Sequence, residues 1–242
     1  MFNRFGDGSR KPKEEAEKPF WISYADLMTA LMFLFLVIMV AAITTVTYQV
    51  RQATVGEKQR GEDIASFCES VKEKAADVND HIVVDCHNNN INFGTVGTFD
   101  QNDYKLKKEG QKALLDAVPV ILDVAESPEG KRWFKQIVIE GFTDTDGDYL
   151  YNLDLSLKRS EWVMCSLLDP NMSGSTQLSA EQRRQIKEFF LAGGVSFNNA
   201  KESKAESRRV ELRLHFYGMK DGDERPSHDK FNKETFEQCS LR

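Results

Sequence analysis

The chain has 242 residues, with 32 Lys and Arg against 38 Asp and Glu, giving a formal net charge of -6 at pH 7. Residues 1–50 carry five charges of each sign, so the acidic excess lies beyond them, and a direct nucleic-acid binder is disfavoured. The cysteines contain no C-x2-C element and the histidines do not join them in a compact ligand pattern, so no metal site is expected.

Residues 1–19 form a short charged segment with Arg4, Arg10, Lys11, Lys13 and Lys18. Arg51, Lys58 and Arg60 are the basic residues just past the apolar run that follows, and this bias predicts a cytoplasmic N-terminus. Residues 20–46 read as a transmembrane helix roughly 40 Å long, enough to cross a bilayer with some tilt. From 27 to 43 there is no charge and one hydroxyl, Thr29. The apolar run is too long for a signal core and lacks a convincing cleavage site, so it reads as an uncleaved anchor. Asp26 sits about two turns inside this helix, where a carboxylate near lipid costs at least ~2 to 3 kcal/mol. An ion pathway or a helix–helix contact is the expected reason. Helical spacing puts Ser23, Thr29, Ala30, Phe33 and Val37 on its face, with Thr29 able to donate a hydrogen bond. Trp21 and Tyr24 fall at the membrane boundary.

Residues 47–80 lack proline and repeat apolar positions at three and four, which predicts a helical connector or plug-like segment weakened at Gly56 and Gly61. The folded domain is expected over 81–217. Ile82–Cys86 and Asn90–Gly94 are short strands around an Asn-rich turn, and Lys105–Ala125 is a helix with a kink or early break at Pro119. Ser127–Gly130 is a turn, and Lys135–Gly141 the strongest strand. Asp154 is expected to cap a helix running to Leu168, with Leu157, Met164 and Leu168 inward. Ser179 and Gln182 form a capping box for a further helix with an apolar end at Phe189-Phe190-Leu191. Val210–Phe216 alternates as a final strand with one polar side. The fold class is therefore α+β, with helices packed on one face of a small mixed β-sheet. Residues 218–242 read as a loosely attached tail. Cys68, Cys86, Cys165 and Cys239 allow three complete disulfide pairings in an oxidising compartment.

Two groups of residues carry resemblances. Trp21-x-x-Tyr24-Ala25-Asp26-Leu27-Met28-Thr29, followed by the apolar run, looks like the signature of MotB-type stator subunits. That resemblance implies that Asp26 relays the translocated ion, with Tyr24 and Thr29 supporting the pathway. It also implies two copies of the chain in a 5:2 assembly with a polytopic MotA-like partner, in the bacterial inner membrane. Gly141-Phe142-Thr143-Asp144, then Asn152, Leu155-Ser156, Arg159 and Arg208-Arg209-Val210-Glu211, resembles the OmpA-like peptidoglycan-binding pattern. This implies a periplasmic domain in which Asp144 accepts the amino group of the stem-peptide diamino acid and Arg159 pairs with its carboxylate. Asn152 would orient the ligand, while Arg208 and Arg209 divide between lining the groove and supporting the sheet. Such opposed charges suit a zwitterion. Phe142 stands where the family has His, and Ser207 where it has Asn.

The short N-terminus and diverged wall motif look more like the MotB-related component of Zorya phage-defence systems, whose channel partner is ZorA, than like a flagellar subunit. The implied function is an ion-driven stator, proton-coupled because one carboxylate suffices, with no resident cofactor. A flagellar stator subunit and a passive wall tether without ion flux remain alternatives. No nucleophile–base or metal set points to an enzyme. Asp144, Asp146 and Asp148 mimic a calcium loop, but Tyr149 and Leu155 stand where that loop needs Gly and Glu.

Overall fold

The computed structural model describes residues 18–169, 171–172, 178–219, 221 and 238–241. Nearly all of the 1–19 segment and most of the 218–242 tail lie outside these. The chain divides into two units, Met1–Gly56 and Glu57–Arg242.

Helix α1, Lys18–Val78, supplies the first unit and enters the second. In the first unit it is long and apolar enough to cross a membrane, and every side chain described from Trp21 to Val55 is exposed. In water each exposed Leu, Ile or Phe would forgo roughly 1.5–3 kcal/mol of burial, so this helix belongs in lipid or against other helices. Its threonine hydroxyls make no demand on that medium. Thr44 donates to Val40 O (3.0 Å), Thr45 to Ala41 O (2.8 Å) and Thr47 to Ile43 O (2.8 Å), all within the helix. The expected weak points at Gly56 and Gly61 do not interrupt it. A helical Gly costs only about 1 kcal/mol relative to Ala.

In the second unit, α1 carries Phe67, Cys68, Val71 and Ala75 into the core. Phe67 stacks on Phe134 at 5.4 Å and meets Phe216 edge-on at 5.4 Å. Trp133 Nε1 donates to Asp63 Oδ2 (2.8 Å), which with Gln59 holds the Asp63 carboxyl below the usual carboxylate range. Arg60 Nε donates to Tyr217 O at 2.8 Å. This stretch is a layer of the domain, held by aromatic burial and side-chain bonds.

The sheet order is β1-β2-β5-β3-β4, with β1 Val83–Asp85, β2 Asn90–Asn92, β3 Phe134–Gly141, β4 Phe190–Gly194 and β5 Val210–Phe216. Every neighbouring pair is antiparallel except β3 and β4. Helices α2 (Lys108–Ala125), α3 (Pro128–Trp133), α4 (Tyr149–Leu168), α5 (Ala180–Phe189) and α6 (Lys204–Ser207) complete the order. The helices and the inward faces of β3 and β5 enclose Ile137, Ile139, Leu212 and Leu214.

Several expectations are corrected. Helix α2 runs through Pro119 without ending. The lost backbone bond costs ~3 kcal/mol, whereas Val118, Val120, Ile121 and Leu122 are all buried around it at about 1.5–3 kcal/mol each. The Ser127 turn opens α3, because Ser127 Oγ caps Gly130 N and Pro128 suits a first helical position. Helix α4 begins at Tyr149 after Asp148, and Asp154 lies inside it, bridged to Lys158 at 2.7 Å. Of the expected inward residues, Leu157 faces outward, while Met164 and Leu168 pack half-buried against the core beside the buried Leu155, Trp162, Val163 and Leu167. Phe190 and Leu191 belong to β4, whose parallel pairing with β3 overrides the helical pattern. The capping box of Ser179 and Gln182 is present.

Disulfides join Cys68 to Cys86 and Cys165 to Cys239, so the tail is covalently tied near its end. Cys239 N also donates to Asp169 Oδ2 at 2.9 Å. The first bond fastens α1 to the β1–β2 turn across 18 residues. Chain-entropy arguments assign such a loop about 3 kcal/mol. Replacing Cys68 and Cys86 together by Ser is expected to lower the melting temperature of the purified chain by roughly 6–12 °C. An unchanged melting temperature would show that the aromatic contacts hold α1 without the crosslink.

Candidate functional site

Asp26 lies on the exposed face of α1, with Thr29 one turn further. The Thr29 hydroxyl donates to the backbone carbonyl of Asp26 at 2.9 Å and not to its carboxylate. That leaves both carboxylate oxygens for a cation, a proton or a neighbouring helix. Tyr24 is exposed beside it.

The second site forms where β3 runs into the 142–148 loop. Gly141 permits it: a Cβ there would lie 2.1 Å from Ser156 O, so only glycine lets the strand end approach α4. Helix α4 turns Asn152, Ser156, Arg159 and Ser160 inward along one face. Asp144 is 5% exposed, and its Oδ2 accepts from Arg208 Nη1 at 2.8 Å. Its Oδ1 accepts from Asp146 N at 3.2 Å, which folds the acidic loop back on itself. Asn152 Nδ2 donates to Asp146 O (2.8 Å) and Asp148 O (3.2 Å), clamping the same loop. Lys204 reaches across from α6 to Asp146 at 2.6 Å, and that bond raises the Lys204 pKa.

Arg159 is 0% exposed. It donates from Nη1 to Phe142 O (2.6 Å), from Nε to Asp103 O (2.9 Å) and from Nη2 to Asp100 O (3.4 Å). Its guanidinium lies 4.7 Å from the Phe99 ring centre. Burial pulls its pKa down to about 10, opposed by the charge of Asp144, and it stays a cation at neutral pH. Arg209 lies away from Asp144: Nε bonds Glu211 Oε1 at 2.6 Å, and the guanidinium sits 4.1 Å from the Phe142 ring centre. Asn90 Nδ2 completes that cluster on Glu211 Oε2 at 3.1 Å.

The structure thus brings together Asp144, Asn152, Arg159 and Arg208, and turns Arg209 to the sheet. The two departures from the family pattern also acquire reasons. Phe142 lies beneath the Arg209 guanidinium, where an aromatic face is a good partner and a protonated imidazole would repel. Ser207 Oγ accepts from Lys201 N and donates to Ser203 O, both at 2.8 Å, which pins α6.

Sequence reasoning missed Lys204 and Ser196. Ser196 holds φ 56, a strained value for a residue with a side chain, and is buried. Its carbonyl accepts from Thr143 N (3.0 Å) and its amide donates to Ser156 Oγ (3.1 Å), which fixes the strand end beside Asp144. Neither residue sits in a recognisable local pattern.

A family model described as "Membrane MotB of proton-channel complex MotA/MotB" matches residues 7–55, and the OmpA family model matches residues 98–209. The Zorya protein ZorB of Escherichia coli O139:H28 (strain E24377A / ETEC) is 63% identical over 219 residues, spanning 90% of this chain and 89% of that protein. The chain belongs to the ZorB family. Like this ZorB relative, the probable lipoprotein YiaD of Escherichia coli K12 is similar, at 25% identity over 165 residues, covering 68% of this chain and 61% of its own length. A crystal structure of a putative MotB-like protein from Desulfovibrio vulgaris is 18% identical, with a TM-score of 0.42 over 66% of this chain and 97% of its own. As a ZorB-family protein, the chain is a single-pass inner-membrane protein with a periplasmic OmpA-like domain.

Proposed function

We propose that this protein is the wall-anchored half of an ion-driven stator, coupling cation flow to signalling in anti-phage defence. One observation carries the reading: Asp26 is the single charge in the exposed, apolar 21–50 stretch of α1, in the same chain as an OmpA-like domain. A carboxylate that alternately binds and releases a cation converts a gradient into movement, each charge yielding ~2.3 kcal/mol per 100 mV.

Asp26 carries the ion, and the ion is a proton, because one carboxylate binds it without further ligands. Tyr24 borders that path, and Thr29 fixes the backbone at Asp26. One span cannot enclose a pathway, so two copies pair inside a polytopic MotA-like subunit of the ZorA type in a 5:2 complex. At the other site, Asp144 receives the ammonium of the diamino acid, displacing Arg208, which turns to the carboxylate. Arg159 supplies positive charge from behind, Asn152 holds the acidic loop and Arg209 supports the sheet. This assignment moves carboxylate recognition from Arg159 to Arg208, because Arg159 is enclosed and its donors are engaged by three carbonyls.

The complex purified with its polytopic partner and placed in liposomes tests the ion assignment. Flux in sodium-free buffer, driven by an imposed proton gradient, is expected. Flux that requires sodium would contradict it.

A further inference from the structure

Next to the acidic loop, α4 opens on Tyr149-Leu150-Tyr151, and all three side chains are exposed. Tyr151 packs towards Gly147 and so belongs to the acidic loop itself. Tyr149 and Leu150 are not explained that way. Leu150 is 74% exposed, a large apolar side chain left in water at the rim of a polar site. Tyr149 is 44% exposed yet held on its other side. Its ring meets Phe197 edge-on at 5.5 Å and 89°, Asn198 Nδ2 donates to its hydroxyl at 3.4 Å, and its carbonyl accepts from Ser196 Oγ at 3.3 Å. The ring is therefore fixed in orientation before anything binds, which lowers the entropy lost on contact.

We propose that Tyr149 and Leu150 form a platform for a sugar ring of the peptidoglycan glycan strand, adjoining the stem-peptide site at Asp144. The inference rests on the wall-binding reading above and extends it from the peptide to the saccharide. Two features select this occupant. The patch follows the Asp144 loop directly in the chain, after Asp148, and Tyr151 lies against Gly147 of that loop, so it adjoins the place where a bound peptide would be joined to its glycan. A pyranose ring also presents an apolar C–H face with hydroxyls at its edge. That pattern suits an aromatic ring whose chain neighbour is Asp148 and whose hydroxyl is met by Asn198, since an amphipathic aromatic pairs an apolar face with polar surroundings.

The test uses the full-length chain in detergent and two soluble probes: a disaccharide-tetrapeptide containing meso-diaminopimelate, and the free tetrapeptide released from it. Native protein is expected to bind the disaccharide form about tenfold more tightly, in the range of a good aromatic contact. Tyr149→Ala and Leu150→Ser should each reduce that advantage, leaving free-tetrapeptide affinity within about twofold, whereas Tyr149→Phe should retain it. Leu150→Ser guards against misfolding, because its exposed side chain can be lost without opening the core. Equal affinity of native protein for both probes would overturn the platform, as would a parallel loss for both probes in the variants. Neither result touches the wall-binding reading as long as tetrapeptide binding depends on Asp144. That reading fails separately, and the platform with it, if native chain binds neither probe.

Discussion

Replacing Asp26 by Asn is expected to abolish cation flux and phage protection while leaving the complex assembled. The substitution is nearly isosteric, and Thr29 bonds the backbone at Asp26, so the helix keeps its geometry. Neutralisation also removes a burial cost of at least ~2 to 3 kcal/mol, so the variant should insert at least as well as the native chain. Only the capacity to hold and release a cation is lost. Asp26→Glu keeps the charge but moves it outward by one methylene, and partial flux is the expected result. The measurements are gradient-driven flux in liposomes and plaque counts in cells, each beside a pull-down of the polytopic partner. A passive tether predicts full protection by Asp26→Asn. Protection retained with normal assembly would therefore decide for the tether.

At the wall site, Asp144→Ala should lower retention on purified peptidoglycan sacculi by roughly a hundredfold or more, since a buried charge loses its partner and breaking such a pair costs about 3–5 kcal/mol. Arg208 and Arg159 should then separate by mechanism. Arg208 is partly exposed and bonds one carboxylate and the Phe99 carbonyl, so Arg208→Gln should weaken retention while the protein melts within a few degrees of native. Arg159→Met leaves three carbonyls without their donor, each costing about 1–3 kcal/mol if it stays unpaired. Its melting temperature should fall by 10 °C or more, on the order of 2–4 °C per kcal/mol for a domain of this size. If Arg159→Met melts normally yet loses retention, Arg159 is the ligand's direct partner and the assignment to Arg208 is wrong.

Much of this was legible because it is local. The alternation from Val210 to Phe216, the run from Lys135 to Gly141 and the Ser179–Gln182 box each fix an element within a few residues. What escaped depended on distant partners. Phe190 and Leu191 continue a helical pattern and become a strand only because β3 offers a parallel edge. Asp154 is an ordinary capping residue by type, yet the chain enters α4 earlier, where Asn152 must reach the carbonyls of Asp146 and Asp148. The three open cysteine pairings resolve only once α1 lies beside the β1–β2 turn and the tail beside α4.

The candidate site divides the same way. The motif residues Asp144, Asn152, Arg159 and Arg208 were identifiable through their resemblance to the OmpA-like pattern, and the fold gathers them. Their individual duties were not readable, since nothing in L-S-x-x-R says that this guanidinium will be wholly enclosed. Lys204 and Ser196 act through tertiary neighbours 58 and 40 residues away, at Asp146 and Ser156. The unusual backbone of Ser196 has no sequence signature, because a serine in the left-handed region looks like any other serine.

The most direct test is an infrared difference spectrum of the purified complex in liposomes, recorded as a proton gradient is imposed. The proposed mechanism predicts a protonated-carboxyl band that grows with acidification on the supply side and is absent from the Asp26→Asn complex. A band of the same size in both complexes, or no carboxyl change in the native one, would contradict ion carriage by Asp26.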